Sequence, residues 1–220
     1  MKRRDFLQQT LPLALPAYMA SSSVWAQGPG LARVPQAGED YLALEKPVPS
    51  EVPAGKLELL EFFWYNCPHC NAFEPTFDAW SKRAPKDVVV RRVPVAFRSD
   101  FATQQRLFYA LEAMGLLEKM HIKVFYAIHT ERKRLDQAEA ITDWVVQQGV
   151  DKAKFVEQFN SFAVQSKANR ATQLTNAFKV EGVPALGIAG RYYTDGSLAK
   201  SMERALVVAE YLLGEARKGR

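Results

Sequence analysis

Two short apolar runs near the start of the chain predict buried β-strands. They cover residues 57–64 and 88–95, and both are rich in aromatic or β-branched residues. Runs of this length and composition are typical of strands that are enclosed by other elements. Between them Phe73, Phe77 and Trp80 recur at spacings of four and three, which indicates the buried face of a helix. This part of the chain therefore predicts the order strand, helix, strand.

A long helical pattern follows, from about residue 100 to residue 179. Its predicted apolar face consists of Leu107, Leu111, Met114, Ile122, Phe125, Tyr126 and His129. Asp136 is predicted to cap a helix that ends at Gly149, and Asp151 to begin the next one. The pattern is much longer than an ordinary connection between two strands, so it indicates an inserted helical domain.

The C-terminal part returns to strands. Residues 185–189 and 191–194 predict two strands that are joined tightly around Gly190. A last helix is predicted to begin near Ser197 and to end by Gly214. The fold class is therefore α/β, with a mixed domain that is interrupted in its middle by helices.

Composition and charge narrow the classes of function. The chain has 220 residues, of which 48% are hydrophobic and 24% charged, an ordinary globular composition for one large domain or a domain with an insertion. The formal net charge is +5, and it falls to +3 without residues 1–26. Basic residues are interspersed with acidic ones, as on a solvated surface. Nucleic-acid binding is therefore not expected.

The N-terminus has the pattern of an export signal. Basic residues 2–4 precede a mostly apolar stretch at residues 11–19, and small side chains at Val24 and Ala26 suit a signal peptidase. We predict a signal peptide of residues 1–26, and the uncharged stretch at residues 10–27 is too short and too polar to span a bilayer. The basic segment also resembles a twin-arginine signal, so the choice between the Sec and twin-arginine routes stays open.

Export changes the interpretation of the two cysteines, Cys67 and Cys70. A structural disulfide across so small a loop would contribute only about 2 kcal/mol, against about 3 for a 15-residue loop. Zinc usually requires four ligands, and only His69, His121 and His129 are available to join the thiols. We predict no metal site, and we expect His121 and His129 to be surface or core-edge residues. A redox-active dithiol is the remaining interpretation.

The residues around the cysteines predict a reactive thiol. Pro68 suits the first turn of the helix, so Cys67 is expected at its N-terminus, where free N–H groups favour the thiolate. His69 would add to this effect, and Cys70, one turn further, would be the enclosed resolving thiol. Each unit by which the pKa of Cys67 falls stabilises the reduced form by about 1.4 kcal/mol, or roughly 30 mV. Such a pair favours oxidation of its substrates.

Two segments resemble a known family. Residues 61–63, Glu-Phe-Phe, followed by Cys67-Pro68-His69-Cys70, are similar to the active-site region of the DsbA family of disulfide-donating oxidases. Residues 182–185, Gly-Val-Pro-Ala, match the second signature of that family. The resemblance implies a thioredoxin-like fold with an inserted helical domain. The implied divisions are residues 27–98 and 167–220 for the thioredoxin-like domain and residues 99–166 for the helical insertion.

The resemblance also implies roles for individual residues. Pro184 would be a cis-proline facing the cysteine pair, and Val183 would pair through its main chain with an extended substrate. Glu61 would be a buried acid that exchanges a proton with Cys70, with Arg92 as a basic partner. The alternative for Glu61 is a solvent-facing position at a strand edge.

The local sequence has two further features. Pro75 falls within the predicted active-site helix, where proline produces a kink. Asn66 is a candidate cap for that helix.

The implied function is a periplasmic thiol:disulfide oxidase. Reduced, folding exported proteins would be its substrates, and a membrane protein resembling DsbB would reoxidise it through transient contact. No cofactor is expected. Two alternatives stay open, a periplasmic disulfide reductase or isomerase and a peptide-binding, chaperone-like module.

Overall fold

The structure is a computed structural model that describes residues 33–219. The predicted signal peptide of residues 1–26 and its twin-arginine motif lie outside the described residues. Within the described part, no helix is long and apolar enough to cross a membrane.

A mixed five-stranded sheet forms the centre of the described chain. Its strands are β1 (Leu42–Ala43), β2 (Leu57–Phe63), β3 (Val88–Pro94), β4 (Ala185–Ile188) and β5 (Tyr192–Asp195). They lie in the order β1-β5-β4-β2-β3, in which β2 and β3 are parallel and the other neighbours are antiparallel. The four longer strands match the predicted strands within about one residue.

Seven α-helices of the described chain surround this sheet in sequence. They are α1 (Pro68–Ser81), α2 (Ala102–Ala113), α3 (Leu117–His129), α4 (Ala138–Gln147), α5 (Lys152–Phe159), α6 (Phe162–Ala177) and α7 (Met202–Lys218), with a 3-10 turn at Ser99–Phe101 before α2. Five of them, α2 to α6, separate β3 from β4, as the long helical pattern predicted. The division at residues 98/99 and 166/167 stays a prediction, and its second boundary falls inside α6.

Strand β2 is fully enclosed, because all seven of its residues are buried. Leu59 belongs to an apolar cluster with side chains of α1 and α7, whereas Leu60 and Phe62 belong to a cluster with the helices between β3 and β4. Burying a side chain such as Phe62 contributes roughly 2–3 kcal/mol, so β2 holds both layers to the sheet. The residues after β2 are therefore positioned rigidly.

Two predicted helix boundaries are wrong. Asp136 does not cap α4: its carboxylate pairs with Arg134, and Gln137 is the N-cap residue. Helix α7 begins at Met202 rather than near Ser197, because the Ser201 hydroxyl accepts a hydrogen bond from the N–H of Arg204. It also continues past Gly214 to Lys218. The predicted start at Asp151 is confirmed, since its carboxylate caps α5.

The predicted apolar face of α3 is also partly wrong. Ile122 and Tyr126 are 49% and 55% exposed. Phe125 is buried as predicted, and the buried face also includes Val124 and Ile128, which were not predicted. Because residues 121 to 129 are nearly all apolar or aromatic, the sequence pattern does not distinguish which of them the neighbouring helices cover.

Gly190, in the turn between β4 and β5, is the position where a side chain fits least. Its φ is +66°, and an added Cβ would lie 2.1 Å from the carbonyl oxygen of Val48. We expect Gly190→Ala to lower the free energy of unfolding by at least about 2 kcal/mol, since it combines left-handed backbone with a clash. Denaturant unfolding measures this.

Gly214→Ala is the matched control for that substitution. Gly214 lies within α7, and an added Cβ there meets no atom of the described residues within 4 Å. Alanine should raise the free energy of unfolding by about 0.5–1 kcal/mol. Equal effects of the two substitutions would contradict the assignment of strain to Gly190.

Candidate active site

Cys67 is positioned by the end of β2 and the start of α1. It is the N-cap residue of α1, with extended backbone angles, and Pro68 follows in the first helical turn. Its N–H donates to the carbonyl of Trp64 at 3.0 Å, which closes the turn from the strand into the helix. Asn66 does not cap the helix, contrary to the prediction, and its side chain accepts a 3.4 Å hydrogen bond from Gln104.

The surroundings of Cys67 stabilise its thiolate. A hydrogen bond from the Cys70 thiol is the largest cause that lowers the pKa of Cys67, from 9.0 to about 6. The main-chain N–H groups of Cys70 and His69 and the charge of His69 act in the same direction, against the effect of burial. The two main-chain N–H groups are free donors at the helix N-terminus, and such donors favour a negative charge there.

Cys70 has the opposite environment. Burial, followed by the interaction with Cys67, raises its pKa well above that of an ordinary thiol. Its exposed fraction is 1%, against 8% for Cys67, and both residues are free thiols in this structure. The two sulfurs are therefore inequivalent: one is stabilised as a thiolate near the surface, and the other is stabilised as a thiol inside.

The loop before β4 lies beside the nucleophile. The Val183–Pro184 peptide bond is cis, and the Cys67 thiol donates to the carbonyl of Val183 at 3.4 Å. A groove of about 360 Å³ lies beside the cis-proline loop. It is lined by His69, Gly182, Val183, Pro184, Asp195, Gly196, Ser197, Ser201 and Met202. The structure thus brings both sequence signatures together, although they are more than a hundred residues apart.

Glu61 is fully buried on the central strand β2, and its alternative as a solvent-facing residue at a strand edge is wrong. The Nε atom of Arg92, on the neighbouring β3, lies 3.2 Å from Glu61 Oε2. Burial and the nearby carboxylate of Glu74 raise the pKa of Glu61 well above its ordinary value. Glu61 in turn contributes to the raised pKa of Cys70.

Three residues that the sequence analysis missed complete the buried cluster. Glu74, on α1, accepts a 2.5 Å hydrogen bond from Arg92 Nη2. His121 is 4% exposed, so its prediction as a surface or core-edge residue is wrong. Its Nε2 lies 3.4 Å from Glu74 Oε2, and its Nδ1 lies 2.8 Å from the hydroxyl of Tyr65.

Only one of these three residues leaves a usable signal in the sequence. Glu74 lies four residues after Cys70 and three before Phe77, so it shares their helix face and faces the interior. Tyr65 and His121 are 56 residues apart, and no local pattern connects them. His129, which is half-buried, contacts the main-chain oxygen of Tyr65 through Nε2 at 2.8 Å.

The described residues 33–219 contain no group of three His, Cys, Asp or Glu side chains placed to hold a metal ion. The site offers the chemistry of two sulfurs and two buried carboxyl groups, Glu61 and Glu74. A mixed sheet with two inequivalent cysteines at a helix N-terminus, opposite a cis-proline loop, defines a thiol:disulfide oxidoreductase of thioredoxin-like fold.

Comparison with known proteins identifies the family. A family model described as the DSBA-like thioredoxin domain matches residues 91–207. The thiol:disulfide interchange protein DsbA of Bordetella parapertussis is 46% identical over 184 residues, which cover 83% of this chain and 87% of that protein. The DsbA of Pseudomonas aeruginosa is 41% identical over 181 residues, which cover 82% of this chain and 85% of that protein.

Solved structures agree. The crystal structure of Pseudomonas aeruginosa DsbA has a TM-score of 0.80 at 41% identity, covering 84% of this chain and 95% of that one. The crystal structure of DsbA from Xylella fastidiosa has a TM-score of 0.77 at 29% identity, covering 84% of this chain and 100% of that one. The chain therefore belongs to the DsbA family. It is a disulfide-forming thiol:disulfide oxidoreductase.

Proposed function

We propose that this oxidase forms its mixed disulfide on Cys67 and uses Cys70 as the internal leaving sulfur. The observation that supports this assignment is the contrast between the two thiols. The pKa of Cys67 is lowered to about 6, whereas the more deeply buried Cys70 has a strongly raised pKa. An oxidase needs such a pair, because stabilising the Cys67 thiolate favours the reduced enzyme over its disulfide.

The first step is attack of a substrate thiolate on the Sγ atom of Cys67. A sulfur–sulfur bond forms to the substrate, the Cys67–Cys70 bond breaks, and its electron pair goes to Cys70. Because the environment of Cys70 disfavours a thiolate, its sulfur takes up a proton. Glu61, whose pKa is raised well above its ordinary value by burial and by Glu74, is the proposed donor.

The second step releases the oxidised substrate. A second substrate thiolate attacks the substrate sulfur of the mixed disulfide, and the electron pair of that bond returns to Cys67. The helix N-terminus and His69 stabilise the departing thiolate, so Cys67 is a good leaving group. The enzyme ends as a dithiol, and the substrate has lost two electrons and two protons.

Substrate binding is proposed at the cis-proline loop. The carbonyl of Val183 lies 3.4 Å from Cys67 Sγ, so the main chain here is placed to pair with an extended peptide whose cysteine reaches Cys67. Pro184 supports this segment beside the groove. Main-chain pairing reads little of a peptide's sequence, which suits many different folding proteins as substrates.

We place this activity in the periplasm, on reduced proteins that have just been exported. The predicted signal peptide, with cleavage after Ala26, supports export. The enzyme leaves each cycle reduced, so a partner must remove two electrons. We propose a membrane protein resembling DsbB, in transient contact, with no cofactor bound to this chain.

The redox equilibrium with glutathione tests the proposal. The absorbance of the Cys67 thiolate is expected to titrate near pH 6. The potential is expected to be less negative than about −200 mV, since a reductase such as thioredoxin lies at about −270 mV. A near-neutral or higher pKa together with a thioredoxin-like potential would contradict the oxidase assignment and favour the reductase or isomerase.

A further inference from the structure

The buried cluster beneath the cysteines contains more acid than base. Glu61, Glu74 and His121 are each at most 4% exposed, and Arg92, whose side chain is 16% exposed, is the one guanidinium that pairs with the two carboxylates among the described residues. Two buried carboxylates that share one guanidinium cannot both ionise without a net charge in the interior, which is costly. One proton is therefore held by this pair, and its position decides whether Glu61 can act as an acid.

The contacts of the two carboxylates are unequal. Glu74 accepts a 2.5 Å hydrogen bond from Arg92 Nη2 at one oxygen. Its other oxygen lies 3.4 Å from His121 Nε2, a contact without hydrogen-bond geometry, and neither of these two atoms has another hydrogen-bond partner among the described residues. Neither carboxyl oxygen of Glu61 has a hydrogen-bond partner within the described part of the chain. Its contact with Arg92 Nε, at 3.2 Å, is an ion pair without hydrogen-bond geometry. The ionised form is therefore better stabilised on Glu74.

Tyr65 determines which nitrogen of His121 carries the proton. Burial raises the pKa of the Tyr65 hydroxyl and lowers the pKa of His121, so the pair consists of a neutral phenol and a neutral imidazole. The hydroxyl oxygen lies 2.8 Å from Nδ1, and we assign the hydroxyl as the donor, which leaves the ring proton on Nε2, facing Glu74. The opposite tautomer would direct a lone pair at the carboxylate of Glu74.

We propose that His121 is a positioning residue for the buried acid: oriented by Tyr65, its Nε2–H is directed at Glu74 and thereby places the shared proton on Glu61. The inference rests on the proposed role of Glu61 as proton donor to Cys70. Helix α3, one of the five helices between β3 and β4, then contributes to the control of the cysteine chemistry. His121 itself touches neither sulfur nor substrate.

Other charges face the cluster and stay constant in the test. Asp78 on α1 is partly exposed and lies 3.9 Å from Arg92 Nη2. Arg92 on β3 lowers the pKa of His121, and Glu118 on α3 raises it by a smaller effect. None of these residues is substituted, so a change in the location of the proton is attributable to His121.

The first measurement is the infrared band of a protonated carboxyl group at neutral pH. We expect one such band in the protein, and Glu61→Gln is expected to remove it. In a His121→Phe background, Glu74→Gln rather than Glu61→Gln is expected to remove it, because Glu74 has lost its second donor. A band that belongs to Glu61 in both backgrounds, or to Glu74 in both, overturns the proposal.

The second measurement is the pH profile for reduction of the Cys67–Cys70 disulfide by a peptide dithiol. In His121→Phe the alkaline limb should move down by about one pH unit or more, roughly tenfold in rate, as expected for losing a hydrogen bond to a charged group. His121→Gln, whose amide N–H also reaches Glu74, should restore most of the shift. If His121→Gln shows the same shifted pH profile as His121→Phe, the proposal is overturned.

Two further variants make the outcome unambiguous. Tyr65→Phe keeps the ring but releases the tautomer of His121, so it should shift the profile in the same direction by a smaller amount, even if His121→Phe does not fold. His129→Gln is the matched control, because it contacts the Tyr65 main chain but not Glu74, and its profile should match the parent. An unshifted Tyr65→Phe profile contradicts the proposal.

The proposed role of Glu61 as proton donor can be wrong while the assignment of the shared proton is right. If Glu61→Gln leaves the rate and the pH profile unchanged, Glu61 is not the proton donor to Cys70. The infrared assignment still reports where the shared proton lies and whether His121 decides it.

Discussion

Replacing Cys67 by serine is expected to abolish oxidation of substrate dithiols, reducing the rate to that of the uncatalysed reaction. The variant has no internal disulfide, and Cys70 alone is a poor replacement. Its exposed fraction is 1%, and burial raises its pKa, so the reactive thiolate is scarce and inaccessible. Oxidation of a peptide dithiol, followed by loss of free thiol, measures the effect.

The matched variant Cys70→Ser should behave differently. It keeps Cys67 with its lowered pKa and a hydroxyl in place of the neighbouring thiol, but it has no resolving sulfur. With oxidised glutathione it should accumulate a stable mixed disulfide on Cys67, visible by mass. Cys67→Ser should accumulate none. A mixed disulfide that forms readily on Cys70 in Cys67→Ser would contradict the assignment of the two sulfurs.

The relative stability of the reduced and disulfide forms is expected to invert between pH 6 and pH 8. Folding lowers the pKa of Cys67 from 9.0 to about 6. Because the folded value is the lower one, the thiolate's contribution to stability is complete above pH 9 and disappears as the pH falls through 6. It amounts to about 4 kcal/mol when complete, to about 3 at pH 8 and to about 1.4 at pH 7.

The disulfide form has a different advantage, which does not depend on this titration. Closing so short a loop reduces the conformational entropy of the unfolded chain, which raises its free energy by about 2 kcal/mol. The disulfide form should therefore be more stable at pH 5–6 and the reduced form more stable at pH 8. Denaturant unfolding of both forms across this range measures the difference, and the disulfide form supplies the baseline because it has no Cys67 titration. A difference that does not change with pH would contradict the lowered pKa.

The reactive end of the site was predictable from the sequence, because its chemistry is local. The apolar run before Cys67 forms β2, and Pro68 begins α1 at the next residue. A cysteine at that junction must lie beside the free N–H groups of a helix N-terminus. The internal position of Cys70 follows from the same helical spacing.

The meeting of Cys67 with Pro184 was accessible only through family resemblance. Nothing in the spacing of the two segments places them together, since 116 residues separate Cys67 from the contacting Val183. The sheet brings them together, because β2 and β4 are antiparallel neighbours and the loop before β4 adjoins the end of β2.

By itself, the sequence determined the four longer strands, most of the helices and the position of the dithiol, since these depend on periodicity, capping and turn residues within a few positions. Tertiary structure alone decided that Ile122 is exposed while His121 is buried. It also decided that Tyr65, His121 and Glu74 form one connected group. A side chain's burial and hydrogen-bond partners depend on which elements pack over it. That packing is a property of the whole domain and is not encoded in any short segment.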